Sequence, residues 1–356
     1  MPLHPLTTQI VGSYTKPHWL ARHPKMRALD GSWWRPEPEV LAEAKRDAAL
    51  LALYEQERAG LDLVTDGEAQ RAAYDRHFLS SLSGIDNTIP VRKLASPIEI
   101  SSERADAPEI NEYLSHSAIK PRIISEIKWT SSVTVDELQF AKLHTTRPVK
   151  VTVVGPLTLA QQVSDHFYND EETLLYELAR ALNQEMKALQ AAGADLLQVD
   201  EPHFHGSLST ARKYGMKALE ELVQGISVPV TTHVCYGYAL VHQEKSKSPT
   251  YPEALEILSE CPITAISLEY EQPKHEPSLL RYCGQKHIVL GLLDLACKEI
   301  ERPEHIARRI DDALNVVPAE RLHPSSDCGM WFLPRALAFG KIRSLVEGTE
   351  IVRARL

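Results

Sequence analysis

The sequence predicts a (β/α)8 barrel with an insertion after the second strand. Three observations carry this reading. Short β-rich runs recur along the 356 residues, amphipathic stretches of helical length separate them, and nearly every run ends in a glycine or a polar residue. Such alternation predicts a parallel sheet, and eight units of this kind are the pattern of a closed barrel; a doubly wound sheet is the structural alternative.

The first run is "TTQIVGSY" (7–14), followed by a stretch with apolar residues at intervals of three and four, 38–60. The second run, "LDLVTDGEA" (61–69), leads into a long excursion, 70–148, read as an insertion with short helices and a hairpin within "PRIISEIKWTSSVTV". "VKVTVVGP" (149–156) precedes a helix that Gly193 closes, because glycine adopts the left-handed conformation at a helix end. "DLLQVDEP" (195–202) precedes a helix in 208–225, and "VPVTTHVC" (228–235) a helix opening near Pro252. "ITAISLEY" (263–270), "HIVLGLLD" (287–294) with the helix "PEHIARRIDDAL", and "RLHPSSDC" (321–328) with a closing helix in 335–346 complete the series. The whole of 1–356 reads as one catalytic barrel, a length such barrels reach with insertions.

Composition narrows the class of function. The chain is 43% hydrophobic and 24% charged, as for a soluble globular protein. Its net charge of −9, without a basic stripe, argues against a nucleic-acid or anionic-membrane partner and leaves a small molecule as the expected ligand. The first residues, "MPLHPLTTQIVGSYTKP", lack the basic and apolar regions of a secretory signal, and no window is apolar enough for a membrane span, so a cytoplasmic location is expected. Five scattered cysteines do not read as a disulfide framework.

Barrel active sites lie at the C-terminal ends of the strands. Those ends carry Gly12 and Ser13, Asp66 and Glu68, Gly155, Asp200 and Glu201, His233 and Cys235, Glu269, Asp294, and Asp327 with Cys328. His233 and Cys235 alone read as a buried core pair at least as readily as a metal site. With a strand period of two, however, they share a face, and Glu269 and Cys328 would converge on them from neighbouring strand ends. Two thiolates, an imidazole and a carboxylate suit Zn2+ better than Mg2+ or Ca2+. Such an electron-rich ion is a poor Lewis acid but holds an added thiol as a nucleophilic thiolate. The implied chemistry is alkyl transfer to sulfur.

The motifs "IVGSY", "DGEAQR", "VTVVGPLT", "LLQVDEP", "THVCYG", "ISLE" and "HPSSDCG" resemble, in order and over nearly the whole chain, the catalytic half of cobalamin-independent methionine synthase and its short single-barrel relatives. The resemblance implies a zinc-dependent barrel that methylates homocysteine. It assigns zinc to His233, Cys235, Glu269 and Cys328, and the amino-acid end of the thiol to Gly12, Ser13, Glu68 and Asp200. Carboxylates suit the ammonium, and backbone N–H groups near Ser13 suit the carboxylate. As alternatives, Asp200 is a structural acid, and Glu68 pairs with Arg71 on a solvated turn.

The resemblance stops short at the methyl donor, which is a methylfolate such as methyltetrahydrofolate or a methyl-corrinoid protein. Full-length members carry a further N-terminal barrel that helps bind the folate tail; this chain resembles the catalytic half. In those members the seventh strand ends in Asp-x-His, with the His a candidate for proton traffic at the folate nitrogen. Here Asp294 is followed by Leu295 and Ala296. His203 and His205, in "DEPHFHG", are the candidate substitutes, with ordinary loop or pocket histidines as the alternative, and Asp294 is left to orient the donor or a zinc-ligand imidazole. Trp33 and Trp34 pack on the rim or stack on a flat donor, while Trp331 belongs at the pocket mouth. Two other functions compete: alkyl transfer to another thiol such as coenzyme M, disfavoured because Glu68 and Asp200 would repel a sulfonate, and a non-catalytic zinc-binding barrel. The segment 70–148 is either a lid or the arm of a homodimer.

Overall fold

A computed structural model describes residues 4–22, 33–92, 118–238, 245 and 248–356. Of the predicted insertion, 93–117 therefore lies outside the described residues, as do Gly31 and Ser32 beside the two tryptophans. Nine strands are described: β1 (Leu82–Arg92), β2 (Ile119–Trp129), β3 (Lys150–Val154), β4 (Ser164–Asp165), β5 (Leu196–Asp200), β6 (Val230–Val234), β7 (Ala265–Leu268), β8 (His287–Gly291) and β9 (Leu322–Ser325).

Six of them form a parallel sheet in the order β3-β5-β6-β7-β8-β9. Two extended segments close it into a ring. Leu6 and Gln9 donate backbone hydrogen bonds to Leu322 (2.9 Å) and Pro324 (3.1 Å) of β9, while Thr8 accepts from Asp62 and Leu63 (both 3.1 Å). Val64 then donates to Pro148 (3.0 Å) and accepts from Lys150 (2.9 Å) at the start of β3. The eight predicted staves are thus all present, in (β/α)8 order, although the first two carry too few regular pairs to count as strands. The Asp62 side chain takes part of their pairing, accepting from both the backbone and the hydroxyl of Thr8 at 2.8 Å.

The helices begin and end where local chemistry dictates. The helix Pro38–Ala59 has proline in its first turn, where no backbone donor is needed, and ends at Gly60 with φ 94°. Glu171–Ala191 starts at Asp170, whose side chain accepts from the Thr173 N–H. Gly193 follows that helix with φ 90°. Pro303–Leu314 is the segment expected from its periodicity. The closing helix runs from Arg335 to Arg353, a full seven residues past its expected end, packed on Pro303–Leu314 and Pro38–Ala59.

Between the second and third staves the chain forms an antiparallel ribbon of β1 and β2. Of the hairpin expected around 121–135, that segment supplies only one strand, Ile119–Trp129, whose antiparallel partner Leu82–Arg92 pairs with it 27 to 47 residues earlier in the chain. The segment has no Gly or Asn pair to turn the chain back. β4 extends this ribbon by a parallel pairing with β2.

Candidate metal and substrate site

Parallel register lines up the polar face of the barrel. Asp200 of β5 stands beside His233 of β6, and His233 beside Ser267 of β7. Two residues earlier on the same faces, Gln198 stands beside Thr231. Room for acidic side chains above this layer is made by glycine. An added Cβ at Gly12 would meet Glu68 Oε1 at 2.5 Å, at Gly155 the Glu201 carboxyl carbon at 2.2 Å, and at Gly291 Asp327 Oδ1 at 2.2 Å.

His233, Cys235 and Cys328 are brought together: one donor atom from each lies within 4.8 Å of the others, and all three residues are buried. The His233 ring is fixed by a 2.9 Å contact between Nδ1 and Ser267 Oγ, while buried Nε2 has no hydrogen-bond partner among the described residues. Cys328 shares its proton with Cys235, which holds Cys235 well below the ordinary thiol range and Cys328 well above it; His233 reinforces the effect. Donors about 2.0–2.3 Å from a tetrahedral zinc would stand about 3.3–3.8 Å apart, so a trio already within 4.8 Å fits with a small contraction. An orphaned imidazole nitrogen beside a thiolate is what a thiophilic ion would satisfy.

Glu269 is close by but turned aside. Its Oε1 meets the buried Lys245 ammonium at 2.6 Å, and its Oε2 accepts the Tyr236 N–H at 3.0 Å. Burial pushes this carboxyl up to about 8, with Lys245 opposing. The turn that carries it is held by Asp327, which accepts the N–H groups of Tyr270 (3.1 Å), Glu271 (3.0 Å) and Gln272 (2.6 Å). Asp327 is thus a buried clamp, and the adjacent Cys328 is the residue presented to the trio. Behind it, Tyr251 joins the two ligand strands: its hydroxyl donates to Val234 O (2.9 Å) and accepts from Glu269 N–H (3.1 Å). His205 Nε2 contacts Cys235 O at 3.0 Å.

The residues assigned to an amino acid adjoin the trio through Asp200, which stands beside His233. Ser13 lies against the Cys328–Gly329 turn, with Met330 N–H donating to Ser13 O at 2.8 Å. Glu68 has φ 52°, a left-handed conformation that a non-glycine residue holds only when its surroundings impose it. Its carboxylate accepts from Thr152 Oγ1 at 2.8 Å. Arg71 does not pair with it: the guanidinium binds Glu137 Oε2 (3.0 Å) and both oxygens of Thr152 (2.9 and 3.1 Å). The solvated-turn alternative for Glu68 fails, since Glu68 and Arg71 are both buried. Asp200 accepts from Gln198 Nε2 at 2.7 Å, and burial raises its carboxyl to about 7, countered by His233 and reinforced by Glu68. Its neighbour Glu201 is structural, accepting from Leu157 N–H, Thr158 N–H and Thr158 Oγ1 at 2.9, 2.8 and 2.6 Å.

His203 is buried, with Nε2 3.4 Å from Gln162 Nε2, and Gln162 accepts from Lys120 of β2. This histidine therefore sits where the ribbon meets the barrel. Asp294 Oδ1 accepts from Ala296 N–H (3.0 Å) and Cys297 N–H (3.3 Å) in its own turn, and Oδ2 lies 3.8 Å from Lys274. Trp331 is fully buried with edge contacts to Tyr238 and Phe332, and Trp33 stacks obliquely on Trp34. Lys245, Ser267, Tyr251 and Lys150 carry no motif in the sequence that would single them out.

Comparison with known proteins accords with this arrangement. The family profile described as the catalytic domain of cobalamin-independent synthase matches residues 6–350. A methionine synthase of Sulfurisphaera tokodaii is 32% identical over 352 residues, covering 99% of this chain and 94% of the relative. One from Thermococcus kodakarensis is 30% identical over 358 residues, covering 100% and 96%. The solved B12-independent methionine synthase from Shewanella sp. W3-18-1, in complex with selenomethionine, superimposes with a TM-score of 0.85 at 30% identity over 98% of each chain. A Listeria monocytogenes structure, at 21% identity and a TM-score of 0.73, shares the fold. With matches over nearly its full length and the three-donor cluster at its strand ends, the chain belongs to the cobalamin-independent methionine synthase family.

Proposed function

We propose that this enzyme is a zinc-dependent methyltransferase that converts homocysteine to methionine, with a methylfolate or a methyl-corrinoid protein as donor. The observation that carries the reading is the convergence of His233, Cys235 and Cys328 within 4.8 Å, with Asp200 in register beside His233 and Ser13 against the turn at Gly329. That the Shewanella relative is described with selenomethionine supports an amino-acid pocket here.

Zinc at this cluster would hold the homocysteine sulfur as a thiolate at neutral pH. His233, Cys235 and Cys328 would bind it, and Glu269, held here by Lys245 and the Tyr236 N–H, would serve as the exchangeable fourth ligand. Ser267 orients the His233 ring so that Nε2 faces the thiols. Glu68 and Asp200 would receive the substrate ammonium, and the backbone at Gly12 and Ser13 its carboxylate. In the transfer the sulfur lone pair forms the new S–CH3 bond as the donor–CH3 bond breaks. With a methylfolate the leaving nitrogen keeps the electron pair of the broken N–CH3 bond and takes a proton, for which His203 is the proposed source and Asp294 the residue orienting the donor. With a methyl-corrinoid the cobalt keeps the pair and no proton is needed. Free thiols at Cys235 and Cys328 suit a reducing, cytoplasmic setting.

Zinc K-edge absorption of the purified protein, with and without homocysteine, tests the proposal. The expected change is from about two sulfur ligands to three as an oxygen ligand leaves. A shell unchanged by homocysteine but altered by coenzyme M would assign the other thiol; no bound zinc would end the reading.

A further inference from the structure

A lysine lies inside the barrel, below the site. Lys150 is 1% exposed, and its ammonium donates to three acceptors on two other staves: Gln9 Oε1 at 2.8 Å and Ile10 O at 2.5 Å from the first, and Gln198 Oε1 at 2.8 Å from β5. All three acceptors are neutral, so the hydrogen bonds alone do not balance the buried charge. Burial works against this charge, and the opposite charges that act on it are Asp200 and, less strongly, Glu68. Gln198 links Lys150 to Asp200 directly. Its Nε2 donates to Val11 O and to Asp200 Oδ1, both at 2.7 Å, so the amide is held from both ends and fixes one oxygen of Asp200.

We propose that Lys150 is a positioning residue for the ammonium end of the substrate: through Gln198 it aims the Asp200 carboxylate, and its charge lets Asp200 and Glu68 face one cation together. This rests on the reading of Asp200 and Glu68 as ammonium partners. The physical need is clear. Two carboxylates in one buried wall repel each other before substrate arrives, and a buried cation beneath them offsets that repulsion without occupying the pocket. A lysine that served only to fill the barrel would gain nothing by being linked to the pocket acid.

The test uses the zinc-loaded full chain and calorimetric titration with homocysteine and with 4-mercaptobutanoate, which keeps the thiol and carboxylate but lacks the ammonium. Wild-type protein is measured first; if it does not bind homocysteine, the functional reading itself falls, and the inference with it. In Lys150→Met the homocysteine Kd is expected to weaken by about tenfold or more, as for a charge-assisted contact, while the 4-mercaptobutanoate Kd stays within about threefold. In an Asp200→Asn background the same change is expected to add nothing, because Lys150 acts through Asp200. Lys150→Gln, still able to hydrogen-bond Gln198, serves if the Met variant does not fold. Equal losses for both thiols would make Lys150 merely structural, and unchanged homocysteine affinity would overturn the proposal outright.

Discussion

Gly12→Ala tests whether Glu68 is packed where the structure puts it. The added methyl would stand 2.5 Å from Glu68 Oε1 and 2.7 Å from Thr152 Cγ2, against an ordinary contact of 3.4 Å or more. The carboxylate must retreat by 0.9 Å and the threonine methyl by 0.7 Å, and both belong to the buried network with Arg71. Overpacking of this kind costs about 1–3 kcal/mol. At about 2.1 cal/mol/K per residue, unfolding entropy for a chain this size is about 0.75 kcal/mol/K, so Tm should fall by about 1–4 °C. Because Glu68 is displaced, the homocysteine KM should rise by more than kcat falls. Gly340→Ala is the control. There the methyl meets Ile300 Cδ1 at 2.2 Å, a nominally worse overlap, but Ile300 is 49% exposed and can swing away. Alanine also favours the helix by about 1 kcal/mol, so the control should keep or raise its Tm. Scanning calorimetry and steady-state kinetics on the two variants decide the matter: a Gly12→Ala protein as stable and as active as the Gly340→Ala control would refute the packing argument.

Other expectations follow from single contacts. Arg71→Met leaves the buried Glu137 carboxylate without its guanidinium, a loss of about 3–5 kcal/mol that thermal unfolding should register as a drop of several degrees; Glu137→Gln in the same chain should recover part of it. Cys328→Ser should abolish tight zinc binding and turnover together, measured by metal analysis and methionine formation, since metal–thiolate binding is worth on the order of 10 kcal/mol; full zinc content would remove Cys328 from the site. His323, fully buried and 2.9 Å from His287, is pushed by burial down to about 3 from 6.5. Between those values the unfolded chain holds a proton that the native state lacks, so stability is complete above 6.5 and lost as pH falls. At about pH 5 that loss is roughly 2 kcal/mol, and His323→Leu should shrink the difference in unfolding free energy between about pH 7 and pH 5 by that amount; an unchanged difference would show that His323 takes up its proton in the native state.

The sequence by itself determined the order of the barrel staves and most of the chemistry at their ends. Parallel strands buried on both faces leave short apolar runs that stop abruptly, and the side-chain period of two puts His233 and Cys235 on one face whatever lies around them. Long helices announced themselves through proline starts and glycine ends. Tertiary structure alone decided which of the neighbouring residues at the strand ends hold the frame. Asp327 and Cys328 are adjacent in sequence, yet the first clamps three backbone N–H groups and the second joins the donor cluster. Glu201 next to Asp200 divides in the same way. Arg71 could not be separated from Glu68 in advance because its true partner, Glu137, lies on the helix Val135–Leu143, sixty-six residues away. Lys150 and Lys245 read in sequence as ordinary charged residues. Only closure of the ring, which removes water and sets distant staves side by side, makes their charges matter to Asp200 and Glu269.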